Sequence, residues 1–172
     1  GAQASYARGA DVALVHDGET VPYADVLSVE SAAEMLEAVR SVVGKADALV
    51  SAAAISDYTI ETAPEKIRSG QELTLELDPT PKVIDAVREE HPELSVVGFK
   101  LETSGDDEAM TERARKTLRR AGLTFVVAND ASVMGAETTR VLLVDEDDVT
   151  IEEGTKTEIG GRIADALAVE LG

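Results

Sequence analysis

Cysteine is absent from the 172 residues. That absence excludes disulfides, thiolate metal sites and thiol nucleophiles together. Only His16 and His91 represent histidine, which argues against a multi-histidine centre, so any metal is expected to be a hard cation on oxygen ligands. Neither histidine lies in a loop suited to a Ser-His-Asp arrangement. No apolar run approaches the roughly 18 residues of a membrane span, and the first residues have neither the basic start nor the apolar core of a signal peptide. A soluble, cytoplasmic protein without membrane partners is expected. Lysine is scarce, at six residues, while 34 acids against 16 bases leave a net charge of −18. The acids are dispersed apart from small clusters such as Asp145 to Asp148, and such a surface repels nucleic acid and anionic membranes. It resembles the solvating surface of salt-adapted proteins, so a halophilic source is expected, with an acidic mesophilic protein as the plain alternative. A lysine kept near an anion site gains significance against this background.

What is present reads as one domain, since 172 residues with 44% hydrophobic content can build one sizeable core but not two comfortable ones. Val12 to Val15 and Val26 to Val29 read as short strands. Ser31 and Glu34 form a capping box for a helix carrying Met35, Leu36, Val39, Val42 and Val43, ended by Gly44. A buried strand from Ala46 to Val50 follows and completes a β-α-β unit with a parallel pair. Leu73, Leu75 and Leu77 alternate with Thr74 and Glu76, as in a half-exposed strand. Pro79-Thr80-Pro81 breaks the chain before a helix carrying Val83, Ile84 and Val87. Ser95 to Phe99 is another buried strand, and Asp106 to Ala121 is an amphipathic helix with acids first and arginines last, matching its dipole. Leu123 to Ala128 returns as a strand. Arg140 to Val144 and Val149 to Glu152 flank an acidic turn as a hairpin, and Glu158 to Leu171 closes as a helix capped by Thr157. The expected fold is α/β: a three-layer αβα, Rossmann-like, mainly parallel sheet with a C-terminal β-hairpin. Ala2 to Arg8 reads as the end of a helix whose beginning and preceding strand are missing, so an N-terminally truncated domain is expected.

The most informative segment is Ser51-Ala52-Ala53-Ala54-Ile55-Ser56-Asp57-Tyr58, closed by Pro64-Glu65-Lys66-Ile67. It leaves the end of a buried strand, where open parallel sheets bind ligands. Small residues there let a ligand approach the backbone, an acid can hold a cation and a lysine can meet phosphate. Asp57 could equally cap the loop, Lys66 could simply be solvated, and Asn129-Asp130 at another strand end could make an Asx-turn. Their convergence on one edge strengthens each of them. Phe99 is either a core residue or a ring that stacks on a base. Arg113 to Arg120 reads more plainly as a solvated helix face. No G-x-G-x-x-G fingerprint is present, which weakens a dinucleotide-dependent reductase.

Taken in order, these segments resemble the phosphopantothenate-cysteine ligase family, often fused to phosphopantothenoylcysteine decarboxylase in bacteria and archaea. The likeness rests on Arg8-Gly9-Ala10-Asp11-Val12, Ala52 to Tyr58, Pro64 to Ile67, Val97-Gly98-Phe99 with Glu102-Thr103, and Ala128-Asn129-Asp130. It implies a CTP-dependent ligase for 4'-phosphopantothenate and cysteine, working through an acyl-cytidylate in the cytoplasm. Within it, Ser51, Ala52 and Ala53 would meet the nucleotide through their backbone, and Asp57 would hold Mg²⁺. Lys66 would stabilise charge at the α-phosphate as the catalytic lysine, and Thr80, Pro81, Lys82, Val83 and Phe99 would form the cytosine pocket. A homodimer is implied, with the Arg140 to Glu152 hairpin as the contact or, equally, as a free edge guarded by Asp145 to Asp148, along with a fused FMN-dependent decarboxylase in the parent protein. Three departures stand out. The family's N-P-D-I is here Thr80-Pro81-Lys82-Val83. Two expected lysines align with Thr117 and Ala121, with Lys116 and Arg120 one step away. The opening glycine-rich turn and the phosphopantothenate loop are missing. The competing expectations are a non-catalytic nucleotide-binding or dimerisation module and a Rossmann-type NAD(P)-dependent reductase.

Overall fold

The computed structural model describes residues 1–60, 70, 72, 74–102, 106–130 and 138–172. The first part contains α1 (Ala2–Tyr6), β1 (Ala13–His16), β2 (Asp25–Ser28), α2 (Ala32–Val43) and β3 (Ala48–Ser51). Two short strands, β4 (Tyr58–Thr59) and β5 (Asp78–Pro79), precede α3 (Val83–Glu90), β6 (Ser95–Glu102) and α4 (Asp107–Ala121). The chain ends with β7 (Phe125–Asp130), β8 (Thr138–Val144), β9 (Val149–Thr155) and α5 (Lys156–Leu171).

The main sheet has five strands in the order β3-β6-β7-β8-β9. Strands β3, β6 and β7 are mutually parallel, whereas β8 and β9 form the appended antiparallel hairpin. Side chains alternate across this sheet. Val96, Val126, Ala128, Leu142 and Val144 pack under Met110, Ala114 and Leu118 of α4. Their sequence neighbours Val97, Phe125, Val127 and Val141 pack under Ile159, Ile163 and Leu167 of α5. A third cluster joins α2 and α3 through Leu36, Val39, Val43, Val83 and Val87, with Val15, Leu49 and Ile55 against it. Leu49 and Leu94 touch both this cluster and that of α4, so α2, α3 and α4 share one layer and α5 lies in the other. The three-layer, mainly parallel α/β architecture with a C-terminal hairpin is therefore the observed fold.

Several local expectations change. The segment β2-α2-β3 occurs in that order, but β3 pairs with β6, while β2 pairs with β1 in a separate parallel sheet of two strands. The connection across residues 17–24 contains no helix. Ser31 caps α2 by accepting the Glu34 N–H at 3.2 Å, yet the Glu34 carboxylate accepts from the Glu30 N–H at 2.7 Å, one residue before the cap. The reciprocal half of the expected box is thus displaced. Gly44 ends α2 with φ −66°, an ordinary helical value. Leu75 and Leu77 form no strand and are 55% and 58% exposed; Leu73 lies outside the described residues. The ladder in this region is the two-residue pairing of Tyr58 with Pro79 and Thr59 with Asp78, and alternation without a longer ladder builds no strand.

Helix α4 is set by Asp106, whose carboxylate accepts the Ala109 N–H at 2.9 Å, and it stops at Gly122 with φ 60°. That left-handed conformation is the one glycine adopts at little cost. Arg140 of β8 grips Asp107 in the first turn of α4 through two bonds of 2.8 and 2.6 Å. Helix α5 starts earlier than expected because Thr155, not Thr157, is its cap. Thr155 and Glu158 form a reciprocal capping box, and the three-residue spacing to the glutamate places the cap at Thr155. Thr155→Ala is expected to lower unfolding free energy by about 1 kcal/mol. Thr157→Ala should change it by no more than about 0.5 kcal/mol, and urea denaturation of both variants distinguishes the two caps.

Candidate functional site

Parallel pairing fixes where the strand-end segments lie. Ser51 pairs with Gly98 at the end of β3, and Glu102 pairs with Asp130 at the ends of β6 and β7. All three strands therefore finish at one edge, with β6 and β7 extending past β3. The alanine loop leaves β3 level with the start of that overhang. Ala52, Ala53 and Ala54 are exposed there. Ile55 anchors the loop by packing against the α2–α3 cluster, and the Ser56 hydroxyl donates to the Tyr58 carbonyl at 2.9 Å.

Beyond this anchor the chain is clamped to the start of α3. The Thr80 N–H donates to the Asp57 carbonyl at 2.9 Å, next to the β4–β5 ladder. Thr80 and Val83 are buried, at 8% and 5% exposure, while Pro81 and Lys82 face outward. Lys82 Nζ lies 2.8 Å from Asp57 Oδ1, with side chains 57% and 74% exposed. The hydrogen bond from Lys82, followed by its charge, holds the Asp57 carboxyl below its ordinary range. The Thr80 hydroxyl is buried without a hydrogen-bond partner among the described residues. An unpaired buried hydroxyl is uncommon and marks a place where a ligand atom or water can enter.

Ser51, Ala52, Ala53, Asp57, Thr80, Pro81, Lys82 and Val83 thus fall along one stretch joining the strand-end loop to α3. Lys66, with Pro64, Glu65 and Ile67, lies outside the described residues. Phe99 is 41% exposed rather than core. It follows Val97 on the α5 face of β6, where Val50 and Leu101 are also 39% and 49% exposed. Helix α3 lies in the opposite layer, so Phe99 and the Thr80–Val83 segment meet only a ligand that reaches over the sheet edge. Lys116 and Arg120 do not stand in for the expected lysines at this edge. Helix α4 connects two parallel strands and so runs back across the sheet, and Arg120 is engaged by Asp85 at 3.3 Å. Arg115 and Arg119 are likewise tied to the Asp145–Asp147 turn, Arg119 through Glu146.

The expected Mg²⁺ ligand does not fit a metal as built. Magnesium takes only one or two protein carboxylates beside substrate phosphates, and the carboxylate expected to serve, that of Asp57, already holds the Lys82 ammonium at 2.8 Å. A concavity beside the first turn of α4 is lined by Asp106, Asp107, Glu108 and Glu112; its acids oppose an anionic ligand.

A mainly parallel sheet between helical layers, with its three parallel strands ending at one edge beside the alanine loop, places the molecule among three-layer α/β domains. Within that class, the chain belongs to the family of DNA/pantothenate metabolism flavoprotein C-terminal domains, whose sequence model matches residues 2–170. It is 42% identical over 166 residues to the coenzyme A biosynthesis bifunctional protein CoaBC of Thermococcus kodakarensis, covering 93% of this chain and 41% of that protein. The corresponding protein of Methanocaldococcus jannaschii is 33% identical over 141 residues, covering 81% of this chain and 35% of that protein. The chain therefore spans well under half the length of these relatives. The crystal structure of the C-terminal domain of a CoaBC protein matches with a TM-score of 0.78 at 26% identity, covering 99% of this chain and 79% of that one. A DNA/pantothenate metabolism flavoprotein from Streptococcus pneumoniae shares the fold, with a TM-score of 0.84 at 22% identity, over 98% of this chain and 85% of that one.

Because Lys82 stabilises only the ionised form of Asp57, any stability from the pair is present at neutral pH and is lost as pH falls through the depressed carboxyl value. Lys82→Gln is expected to move the Asp57 midpoint upward, towards an ordinary carboxylate. A carbon-detected NMR titration of the Asp57 carboxyl reads this shift, and an unmoved midpoint would remove Lys82 as its cause.

Proposed function

We propose that this chain forms the ligase part of a coenzyme A biosynthesis protein, coupling 4'-phosphopantothenate to cysteine with CTP as the activating nucleotide. The observation that carries this reading is the 42% identity to the Thermococcus protein across 93% of the chain. The geometry supports it, since the parallel strands and the alanine loop gather backbone, an ion pair and a hydroxyl without a partner among the described residues at the edge where such sheets take ligands.

In this reading, a carboxylate oxygen of 4'-phosphopantothenate attacks the α-phosphorus of CTP. The bond to the bridging oxygen of the β-phosphate breaks, pyrophosphate leaves and an acyl-cytidylate remains. The cysteine amine then attacks the acyl carbon, CMP departs, and the amine loses a proton as the amide forms. Ser51, Ala52 and Ala53 admit the nucleotide close to the backbone. To Lys66 falls the stabilisation of the charge that develops at the α-phosphate. The Thr80–Val83 segment meets the base, where the buried Thr80 hydroxyl gains a partner, and Phe99 offers a ring for stacking. No step is assigned to Mg²⁺, because Asp57 is engaged by Lys82.

The protein works in the cytoplasm, and no described helix is long and apolar enough to cross a membrane. Its acid excess suits a salt-rich interior, and the parent protein carries a fused FMN-dependent decarboxylase domain, in keeping with relatives that are bifunctional and longer than this chain. A homodimer forms through the Arg140 to Glu152 hairpin, whose second strand β9 lies at an edge of the described sheet, with Val149 and Ile151 37% and 50% exposed. An apolar edge left bare would invite uncontrolled pairing.

Pyrophosphate release in the presence of CTP, 4'-phosphopantothenate and cysteine tests the reaction, using the parent protein that contains this chain. CTP is expected to outperform ATP by at least about tenfold, or ~1.4 kcal/mol. Lys66→Ala should lower turnover by about two to three orders of magnitude. A parent protein that binds CTP but releases no pyrophosphate would overturn the ligase reading. Ile151→Lys is expected to shift sedimentation from dimer to monomer without loss of helical signal in circular dichroism, and an unchanged dimer would remove β9 as the contact.

A further inference from the structure

Asp57 and Lys82 are 25 residues apart in sequence and are brought together by backbone rather than by their own attraction. Ile55 on one side and Val83 on the other are held in the same apolar cluster between α2 and α3. Between them, the Thr80 N–H meets the Asp57 carbonyl at 2.9 Å, and Tyr58 and Thr59 pair with Pro79 and Asp78. The clamp leaves Lys82 in the cap position of α3, making no side-chain cap bond to its own helix. Its ammonium reaches Asp57 at 2.8 Å instead. Both side chains are more than half exposed, so a ligand at the sheet edge can reach them.

A magnesium ion requires several oxygen ligands in near-octahedral geometry and usually takes only one or two from carboxylates. At this position, the carboxylate that could serve is already neutralised by a cation built into the chain. An exposed ion pair is weak, and an ammonium has three donors. Lys82 can therefore keep one bond to Asp57 while offering another to a phosphate oxygen, as a compact point charge suited to phosphate. The open N-terminus of α3 adds its favourable dipole to the same position.

We infer that the Lys82 ammonium takes the place of a divalent cation beside Asp57, so that a nucleoside triphosphate binds at this edge without a metal bridge to that carboxylate. The inference rests on the nucleotide reading given above.

Calorimetric titration of CTP into the chain, with Mg²⁺ or with EDTA, tests it. The native chain is expected to keep its affinity within about threefold when Mg²⁺ is removed, whereas Lys82→Gln loses about tenfold or more in EDTA and recovers with Mg²⁺. Lys82→Arg, which keeps the charge, should behave as the native chain does. Water-proton relaxation with Mn²⁺ and CTP gives a second readout: enhancement is expected for Lys82→Gln and not for the native chain. Strong metal dependence of the native chain, or a Lys82→Gln chain as indifferent to metal as the native one, would overturn the role of Lys82 and leave the nucleotide reading intact. Failure of CTP to bind in either condition would overturn the nucleotide reading itself, and this inference with it.

Discussion

The two-sided burial of β6, β7 and β8 is the constraint on which the remaining structure depends. Val96, Val126, Leu142 and Val144 must face α4 while Val97, Phe125, Val127 and Val141 face α5. A slip of one residue would exchange the two faces of a strand. At Gly98 an added Cβ would lie 2.7 Å from Leu123 Cδ1, so the Leu123 side chain would have to turn away from the strand. With the register locked on both faces, β3, β6 and β7 are obliged to end at one edge. The site is a consequence of that packing rather than a separate invention.

At the edge itself, electrostatics are local and modest, and geometry comes from the backbone. Asp57 and Lys82 are exposed, so their attraction is screened and contributes little to stability. Their position is fixed by neighbours that are buried, namely Ile55, Thr80 and Val83. A strongly anionic protein has kept this lysine in contact with an acid at the place where the fold presents strand ends to a ligand. Three arginines of α4, by contrast, serve the structure: Arg115 and Arg119 hold the Asp145–Asp147 turn and Arg120 holds Asp85.

Much of this was legible in the sequence where local physics decides. The apolar period of α2 and α4, the arginines towards the end of α4 and the alternation of β8 and β9 each follow from interactions within a few residues. So does the alanine loop at a strand end, because small residues after a buried strand have a local meaning. Local reading failed in specific ways. Thr157 was the expected cap of α5, yet the spacing to Glu158 selects Thr155. Leu75 and Leu77 alternate like a strand but find no long ladder in the described chain. Phe99 could be placed in the core or on the surface until its face and the length of β6 were known.

The sequence by itself determined that this is an α/β protein without thiol chemistry, with a strand-end loop carrying Asp57 and a helix starting just after Thr80-Pro81. Periodicity, turn chemistry and composition act over short distances, and they suffice for those conclusions. Only the tertiary structure decided that β3 lies beside β6, that α3 and Phe99 belong to opposite layers, and that Asp57 is matched by Lys82. These relations join residues tens of positions apart, and they are selected by burial on both faces of one sheet, which no short window of sequence contains.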